Sequence, residues 1–353
     1  MTSFASSSSP NSAFPPPLPL AHSSHLHDLK FDFYGRRLAT VAGDQTVKVW
    51  DYVECDEEGQ EKPGWKLRDG SVWQGHKGSV LRVCWAHPEF GQLLATCGSD
   101  HTAQIWEEQE SSTSLSSTTT NWHQKASLTE AHKSVTTISF APRHVGLKIA
   151  TGSADGIVRI YEAIDVMNLN HWPLSHNFTG DSEGELGVTA LDWCTGRFEP
   201  PMIVVGGSSG SVKIWRFDEG SRLWGVVHDL TNHGRSVYDI RWAPNVGRSF
   251  HLIASSGKDG KTLLHRLNRI RSNSSNNDEN NSGGNTNNND GGDLHQLAIG
   301  TTTTLENPNG NHVCRLDWNV TGTVLAAAGD GGTVTLFKAD FNGRFRCVSE
   351  VAS

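Results

Sequence analysis

Six copies of one short-strand pattern, a composition heavy in Trp and Gly, and a near absence of helical periodicity predict an all-β protein arranged as a six-bladed β-propeller. Each copy reads as a short strand ending on an aromatic residue, then a second strand rich in Leu, Ile and Ala. A turn, usually holding Asp, follows, and an alternating strand closes on another ring. The closing positions are Trp50, Trp106, Tyr161, Trp215, His265 and Phe337, spaced 50 to 72 residues apart. Twelve Trp and 36 Gly among 353 residues supply bulky packing groups and turn formers, a combination that favours many short strands. Alternation through Thr46-Val47-Lys48-Val49-Trp50 and through Gly156 to Tyr161 has the period of two expected of strands.

The copies follow in order. The first runs from Leu29 to Asp51, and the second from Gly75 and His76 through Trp85 and Asp100 to Trp106. The third holds His132, Phe140, Asp155 and Tyr161; the fourth runs from Val188 through Trp193 to Trp215. The fifth holds His233, Trp242, Asp259 and His265, and the sixth Trp318, Asp330 and Phe337. A minimal WD repeat is about 40–45 residues long, and the excess here is visible as polar inserts. The sequence therefore divides into a disordered Ser/Pro-rich leader over 1–26 and one propeller over 27–353. Disordered inserts are expected at 110–121, rich in Ser and Thr, and at 271–293, rich in Asn and Gly, because such segments have little to bury against their ordering entropy.

A formal charge of −8 argues against a large phosphate-binding surface, so no direct nucleic-acid partner is expected. No apolar run has the length of a membrane span, and no membrane insertion is expected. The leader is broken by prolines at Phe14-Pro15-Pro16-Pro17 and lacks Lys and Arg, which supports neither a secretory nor a mitochondrial address. The six cysteines form no C-x-x-C pair and read as reduced thiols of an intracellular protein.

The copies resemble WD repeats, and the resemblance implies a buried polar network in each blade. A His before the first strand and an Asp in the turn would bond to one another, with the closing indole finding a partner nearby. Copy two holds the full set in His76, Asp100 and Trp106. Copy three holds His132 and Asp155, and copy five His233 and Asp259. Copy four has Ser209 in its turn and no matching His, and copy six shifts its Asp to Asp330. Before copy one the position is weak, with His22 or His25 as candidates.

Two stretches are more specific: "WAHPEFGQLLATCGSDHTAQIWEE" from Trp85, and "APRHVGLKIATGSADGIVRIYEAIDVMNL" from Ala141. With "APNVGRSFHLIASSGKDG" and "WNVTGTVLAAAGDGG" they resemble the Sec-thirteen homologue one family of small WD-repeat nucleoporins, over essentially all of 27–353. The nearest rival is the WD-repeat subunit of the COPII vesicle coat, which carries a "WAHPEFG"-like segment. "GIVRIYEAIDVMNL" favours the nucleoporin. A peptide-reading WD-repeat adaptor is a further alternative.

The resemblance implies an open propeller in the Y-shaped complex of the nuclear pore, completed in trans by a blade from a helical-scaffold nucleoporin. Other Y-complex nucleoporins would be partners, and the role would be to support nucleocytoplasmic transport, both mRNA export and protein import. A second assembly is implied as well, the vacuole- or lysosome-associated complex of the SEA/GATOR type that regulates TOR signalling. The residues add their own support for an open ring, since 1–26 contains no strand candidate and "FRCVSEVAS" reads as an ordinary outer strand. The edge left for a partner is expected at Leu29, Phe31 and Phe33 on one side and at Leu316 and Trp318 on the other, covered by strand addition.

Sharper chemical readings lose to plainer ones. Gly206 to Gly210 matches the G-x-S-x-G of a hydrolase elbow, but a strand follows where that elbow needs a helix. No nucleophile, base and orienting residue cohere, so no catalytic residue, cofactor or enzymatic activity is expected. His22, His25 and His27 match no zinc spacing, and no metal is expected. The acidic stretch Glu54 to Glu61 reads as a solvated loop and the Asn-rich tract as a passive insertion.

Overall fold

The computed structural model describes residues 18, 22–54, 63–111, 119–197, 199–230, 233–270, 296–307, 310 and 312–352. Its strands form six separate antiparallel sheets of four, each ordered as in the chain, and the sheets stand as blades of a ring. Blade one is β1 (Leu26–Phe31), β2 (Arg37–Ala42), β3 (Thr46–Val53) and β4 (Gly64–Gln74); blade two is β5 (Val80–Trp85), β6 (Leu93–Gly98), β7 (Ala103–Ser111) and β8 (Thr119–Leu128). Blade three is β9 (Val135–Phe140), β10 (Lys148–Ser153), β11 (Ile157–Glu162) and β12 (Leu174–Thr179). Blade four is β13 (Val188–Trp193), β14 (Met202–Gly207), β15 (Val212–Asp218) and β16 (Leu223–Asp229). Blade five is β17 (Val237–Trp242), β18 (Phe250–Gly257), β19 (Thr262–Ile270) and β20 (Gln296–Leu305). Blade six is β21 (Val313–Trp318), β22 (Val324–Gly329), β23 (Thr333–Ala339) and β24 (Phe345–Ala352). Blades one and six each own their outer strand, so neither borrows one from the other.

The second strand of a blade is packed on both faces. Leu93–Gly98 and Met202–Gly207 are buried at every residue and read as unbroken apolar or small-residue runs. Outer strands face water on one side, and β12 alternates half-buried and exposed accordingly. Apolar side chains join consecutive blades face to face. Val41 and Val49 meet Val83 and Leu94 between blades one and two, and Ile105 meets Ile138 and Trp172 between two and three. Ile160 meets Leu191 between three and four, Ile214 meets Ile240 and Leu267 between four and five, and Leu264 meets Leu316 and Phe337 between five and six. Among the described residues no such cluster joins blade six to blade one.

Two boundaries differ from the sequence reading. The structured region begins before residue 27, because β1 opens at Leu26 and His22 is bonded into blade one. The ends of the 110–121 segment are strand, with Ser111 paired to Thr119 and Glu110 to Thr120 across β7 and β8. Residues 112–118 and the expected insert at 271–293 lie outside the described residues. The G-x-S-x-G match is the end of β14 and a turn into β15, with Gly210 at φ +90°.

Candidate functional site

The polar sets are completed by a residue that the sequence reading did not single out. In blade two the Trp106 indole N–H donates to Thr96 Oγ1 at 3.0 Å, and Thr96 Oγ1 lies 2.8 Å from His76 Nε2. His76 Nδ1 then lies 3.0 Å from Asp100 Oδ1. Asp100 also accepts from Lys77 N at 2.9 Å and Thr102 Oγ1 at 2.9 Å. Burial opposes ionisation of Asp100, but the hydrogen bond from His76 and those from Lys77 and Thr102 hold its carboxyl well below the usual range. Blade one repeats the set: Trp50 N–H to Thr40 at 2.9 Å, Thr40 to His22 Nε2 at 2.9 Å, and His22 Nδ1 to Asp44 at 3.1 Å. His22, not His25, is thus the first blade's histidine. Blade five uses His265, Ser255, His233 and Asp259, at 3.1, 2.9 and 3.0 Å along the chain of bonds. A signal for the fourth member exists, since Thr40, Thr96, Thr151 and Ser255 each stand four residues before the turn Asp.

His132 does not join such a set. It lies three residues before Val135, whereas His76 and His233 lie four before Val80 and Val237, so it falls one place late. Its backbone N–H reaches Asp155 at 3.2 Å, as Lys77 N reaches Asp100, and its ring is exposed. Arg159 takes the imidazole's place, with Nη2 2.7 Å from Asp155 Oδ2, and Tyr161 O–H turns to Glu130 at 2.9 Å. Blade four inverts the arrangement: Asp181, in the loop before β13, accepts the N–H of Ser209 at 3.0 Å. With Val205 where blade two has Thr96, the Trp215 indole N–H finds no acceptor among the described residues, and Phe178 stacks on its ring at 4.2 Å. In blade six the turn has Asp330 and Gly331, and Phe337 is held by apolar packing.

One buried group has the composition of a metal site, Cys194, Glu199 and His251. Its bonding points elsewhere. The Trp242 indole N–H donates to His251 Nδ1 at 3.2 Å, so Nε2 carries the proton and donates to Glu199 at 2.6 Å. Arg269 Nε adds a second donor to the same carboxylate at 2.7 Å. A metal on Nε2 would need a proton on Nδ1, facing the indole N–H. These donors suit a hydrogen-bonded clasp between blades four and five and do not fit a cation.

The proposed partner edge requires a correction of face. Inner strands superpose in register, so equivalent positions look the same way round the ring. The fourth residue of β5, β9, β13, β17 and β21 (Val83, Ile138, Leu191, Ile240 and Leu316) packs against the preceding blade and is at most 6% exposed. Leu316 and Trp318 therefore face blade five: Leu316 is in the cluster between five and six, and Trp318 packs beside it with its indole N–H on Arg241 O at 3.2 Å. Leu29 occupies the same fourth position in β1 and is 41% exposed. Leu26, at the first position, is 45% exposed, against 2% or less for Val80, Val135, Val188, Val237 and Val313. Phe31, the sixth residue, is 52% exposed and touches Trp65. Phe33 lies beyond β1 in the turn, against His87 and Tyr34.

Opposite this face of blade one stand Leu316, Ala326, Ala328 and Val334 of blade six, and the two sides enclose a groove of about 320 Å³. Polar contacts cross it. Lys30 Nζ lies 2.8 Å from Asp317 Oδ2, and Arg315 donates to His27 O at 3.0 Å. The ring is thus sealed by apolar faces at five junctions and bridged by polar contacts at the sixth.

The WD domain, G-beta repeat model matches residues 17–51, 69–107, 122–162 and 301–338. The matches hold the first three strands of blades one, two, three and six, and pass over those of blade four, with its inverted polar set, and blade five, with its histidine closure. Nucleoporin SEH1-A of Xenopus laevis is 40% identical over 337 residues, which span 93% of this chain and 85% of that protein. Nucleoporin SEH1 of Homo sapiens is 40% identical over 336 residues, spanning 92% and 85%, and that of Danio rerio 39% identical over 335 residues, spanning 92% and 84%. With the six-bladed ring, the WD repeats and this likeness along nearly its whole length, the chain belongs to the SEH1 family of WD-repeat nucleoporins.

Proposed function

We propose that this chain is a non-enzymatic scaffold subunit of the nuclear pore that receives a blade from another protein between its sixth and first blades. One observation carries the reading: the first and fourth positions, sealed in the five other inner strands, are open in β1 yet still hold Leu26 and Leu29, with the exposed Phe31 beside them. Apolar positions that face a neighbour everywhere else call for a neighbour here. The partner is a helical-scaffold nucleoporin of the Y-shaped complex with a β-rich segment, and through it the chain supports mRNA export and protein import. The same face would serve in the vacuole- or lysosome-associated complex that regulates TOR signalling.

Among the described residues the sheets are not joined across blades by backbone pairing, so the partner docks on faces rather than by extending a strand edge. Affinity purification from the native cell tests the assignment, and hydrogen exchange of the recovered complex tests the place. Stoichiometric recovery of a helical nucleoporin, with new protection at Leu26–Phe31 and β22, is the expected result. Recovery of vesicle-coat proteins instead would favour the coat alternative. Protection confined to the central face of the ring would favour a peptide-reading adaptor.

A further inference from the structure

The inner strands share a common frame, marked by a register shift after the first residue: between Leu26 and Asp28, Val80 and Arg82, Val188 and Ala190, Val237 and Asp239, and Val313 and Arg315. In this frame carboxylates at two positions hold the next blade by its backbone. At the third position, Asp28 Oδ2 accepts Val83 N–H at 3.1 Å and Asp239 Oδ2 accepts Leu316 N–H at 3.0 Å. At the fifth, Asp192 accepts twice: Oδ1 from its own neighbour Trp193 N–H at 3.0 Å, and Oδ2 from Trp242 N–H of the next blade at 2.9 Å. The amides taken are always those of the fourth or sixth residue of the following inner strand.

Asp317 stands at the fifth position of β21, the last inner strand. Its Oδ1 accepts Trp318 N–H at 3.0 Å, as Asp192 accepts Trp193 N–H, so the carboxylate is presented in the same way. Among the described residues its Oδ2 has no following amide; it is met by Lys30 Nζ, and 63% of the side chain is exposed. On the other wall, Asp32 N–H bonds Arg37 O at 2.9 Å, so alternation along β1 directs the Leu29 and Phe31 amides away from β2. These are the fourth and sixth positions, the ones that Asp28, Asp192 and Asp239 hold in other blades.

We infer that Asp317 sets the register of the incoming blade by accepting the N–H of the sixth residue of its inner strand, with Lys30 a placeholder that gives way. The occupant this fits is a β-blade from another chain whose inner strand presents a free amide to Asp317. An Asp or Asn at its third or fifth position would take the Leu29 or Phe31 amide. Ala326 and Ala328 leave room on the blade-six side for large apolar side chains of that segment. This rests on the blade-receiving reading above and goes further by naming the residue that fixes the fit.

The test uses the full chain and the helical nucleoporin recovered with it, measuring affinity and amide exchange for Asp317→Ala, Asp317→Asn and Lys30→Ala. Asp317→Ala should weaken binding about tenfold, equivalent to about 1.4 kcal/mol, and should expose one partner amide. Asp317→Asn, which keeps an acceptor oxygen, should stay within about threefold of wild type, and Lys30→Ala should bind as well or better. Unchanged melting temperatures of the free variants would separate these effects from folding. Wild-type affinity and protection in Asp317→Ala would overturn the inference while leaving the binding face in place. Equal losses in Asp317→Ala and Lys30→Ala would overturn it too, since the pair would then act as a structural bridge. Absence of new protection at Leu29 and Phe31 in the wild-type complex would instead remove the reading on which it rests.

Discussion

Replacing Asp100 by Ala takes the acceptor from four donors at once: the His76 imidazole, the Lys77 and Thr102 amides, and the Thr102 hydroxyl. The His76 side chain is fully buried, so its N–H cannot turn to water. An unsatisfied buried donor costs about 1–3 kcal/mol and each more exposed bond about 0.5–1.5 kcal/mol. The expected loss is about 3–4 kcal/mol, within the range of broken buried networks. Asp100→Asn keeps one acceptor oxygen and should lose about half as much. Ser209→Ala in blade four breaks only the exposed bonds to Ser211 and should cost less than about 1 kcal/mol. Urea unfolding followed by tryptophan fluorescence measures all three. The Asp100 carboxyl is held below its ordinary range, so its contribution is full above the unfolded value near pH 4 and is lost as pH falls through the folded one. The gap between wild type and Asp100→Ala should therefore narrow below about pH 4. If Asp100→Ala were no less stable than Ser209→Ala, the chain of bonds from Trp106 to Asp100 would not be what holds blade two.

Burial, helped by the nearby His233, lowers the His265 pKa to about 4, so the protein should lose stability as pH falls from about 6.5 to 4, by up to about 3 kcal/mol. His265→Trp, which could donate to Ser255 as Trp106 does to Thr96, should flatten that slope in melting temperature against pH; an unchanged slope would exclude His265 as its source. His22→Ala should destabilise by about 1–3 kcal/mol in urea, because Thr40 and Asp44 lose their shared partner. A neutral result would return residues 22–26 to the status of a leader.

The repeat, the number of blades and the pairing of His76 with Asp100 and His233 with Asp259 were legible because each rests on short-range pattern: period-two strands, a turn Asp, a closing ring. What was not legible depended on counting within a frame. His132 resembles a network histidine by type, but one missing residue before Val135 moves it to the place of Lys77, and Arg159 from the next strand supplies the side-chain donor to Asp155 instead. Asp181 does for blade four what a turn Asp does elsewhere, from a loop where no repeat pattern points. The hydroxyl partners Thr40, Thr96 and Ser255 stand four residues before each Asp, but a lone Thr or Ser in a strand carries no signal of its own.

The partner edge illustrates the same point at the scale of the ring. Leu29 and Leu316 are equivalent residues of equivalent strands, and in a ring of repeats equivalent residues face the same way round. Their side chains cannot both point into one gap, although Leu316 borders the groove that Leu29 lines. If Leu29 faces the opening, the Leu316 side chain must face blade five, and the opposite wall is completed by residues of the other parity, Ala326 and Ala328. That deduction needs only the repeat alignment. It also explains why the opening is chemically unlike a plain surface. A first blade with no neighbour could carry polar residues at its first, fourth and sixth inner positions without cost to its own sheet, since the hydrogen-bonded ladder to β2 does not depend on them. Leu26, Leu29 and Phe31 stand there instead, with Asp317 across the groove holding the geometry that Asp192 uses to grip a following blade. An apolar wall and a carboxylate set for an amide are two independent marks of a junction, and they lie on opposite sides of the same groove.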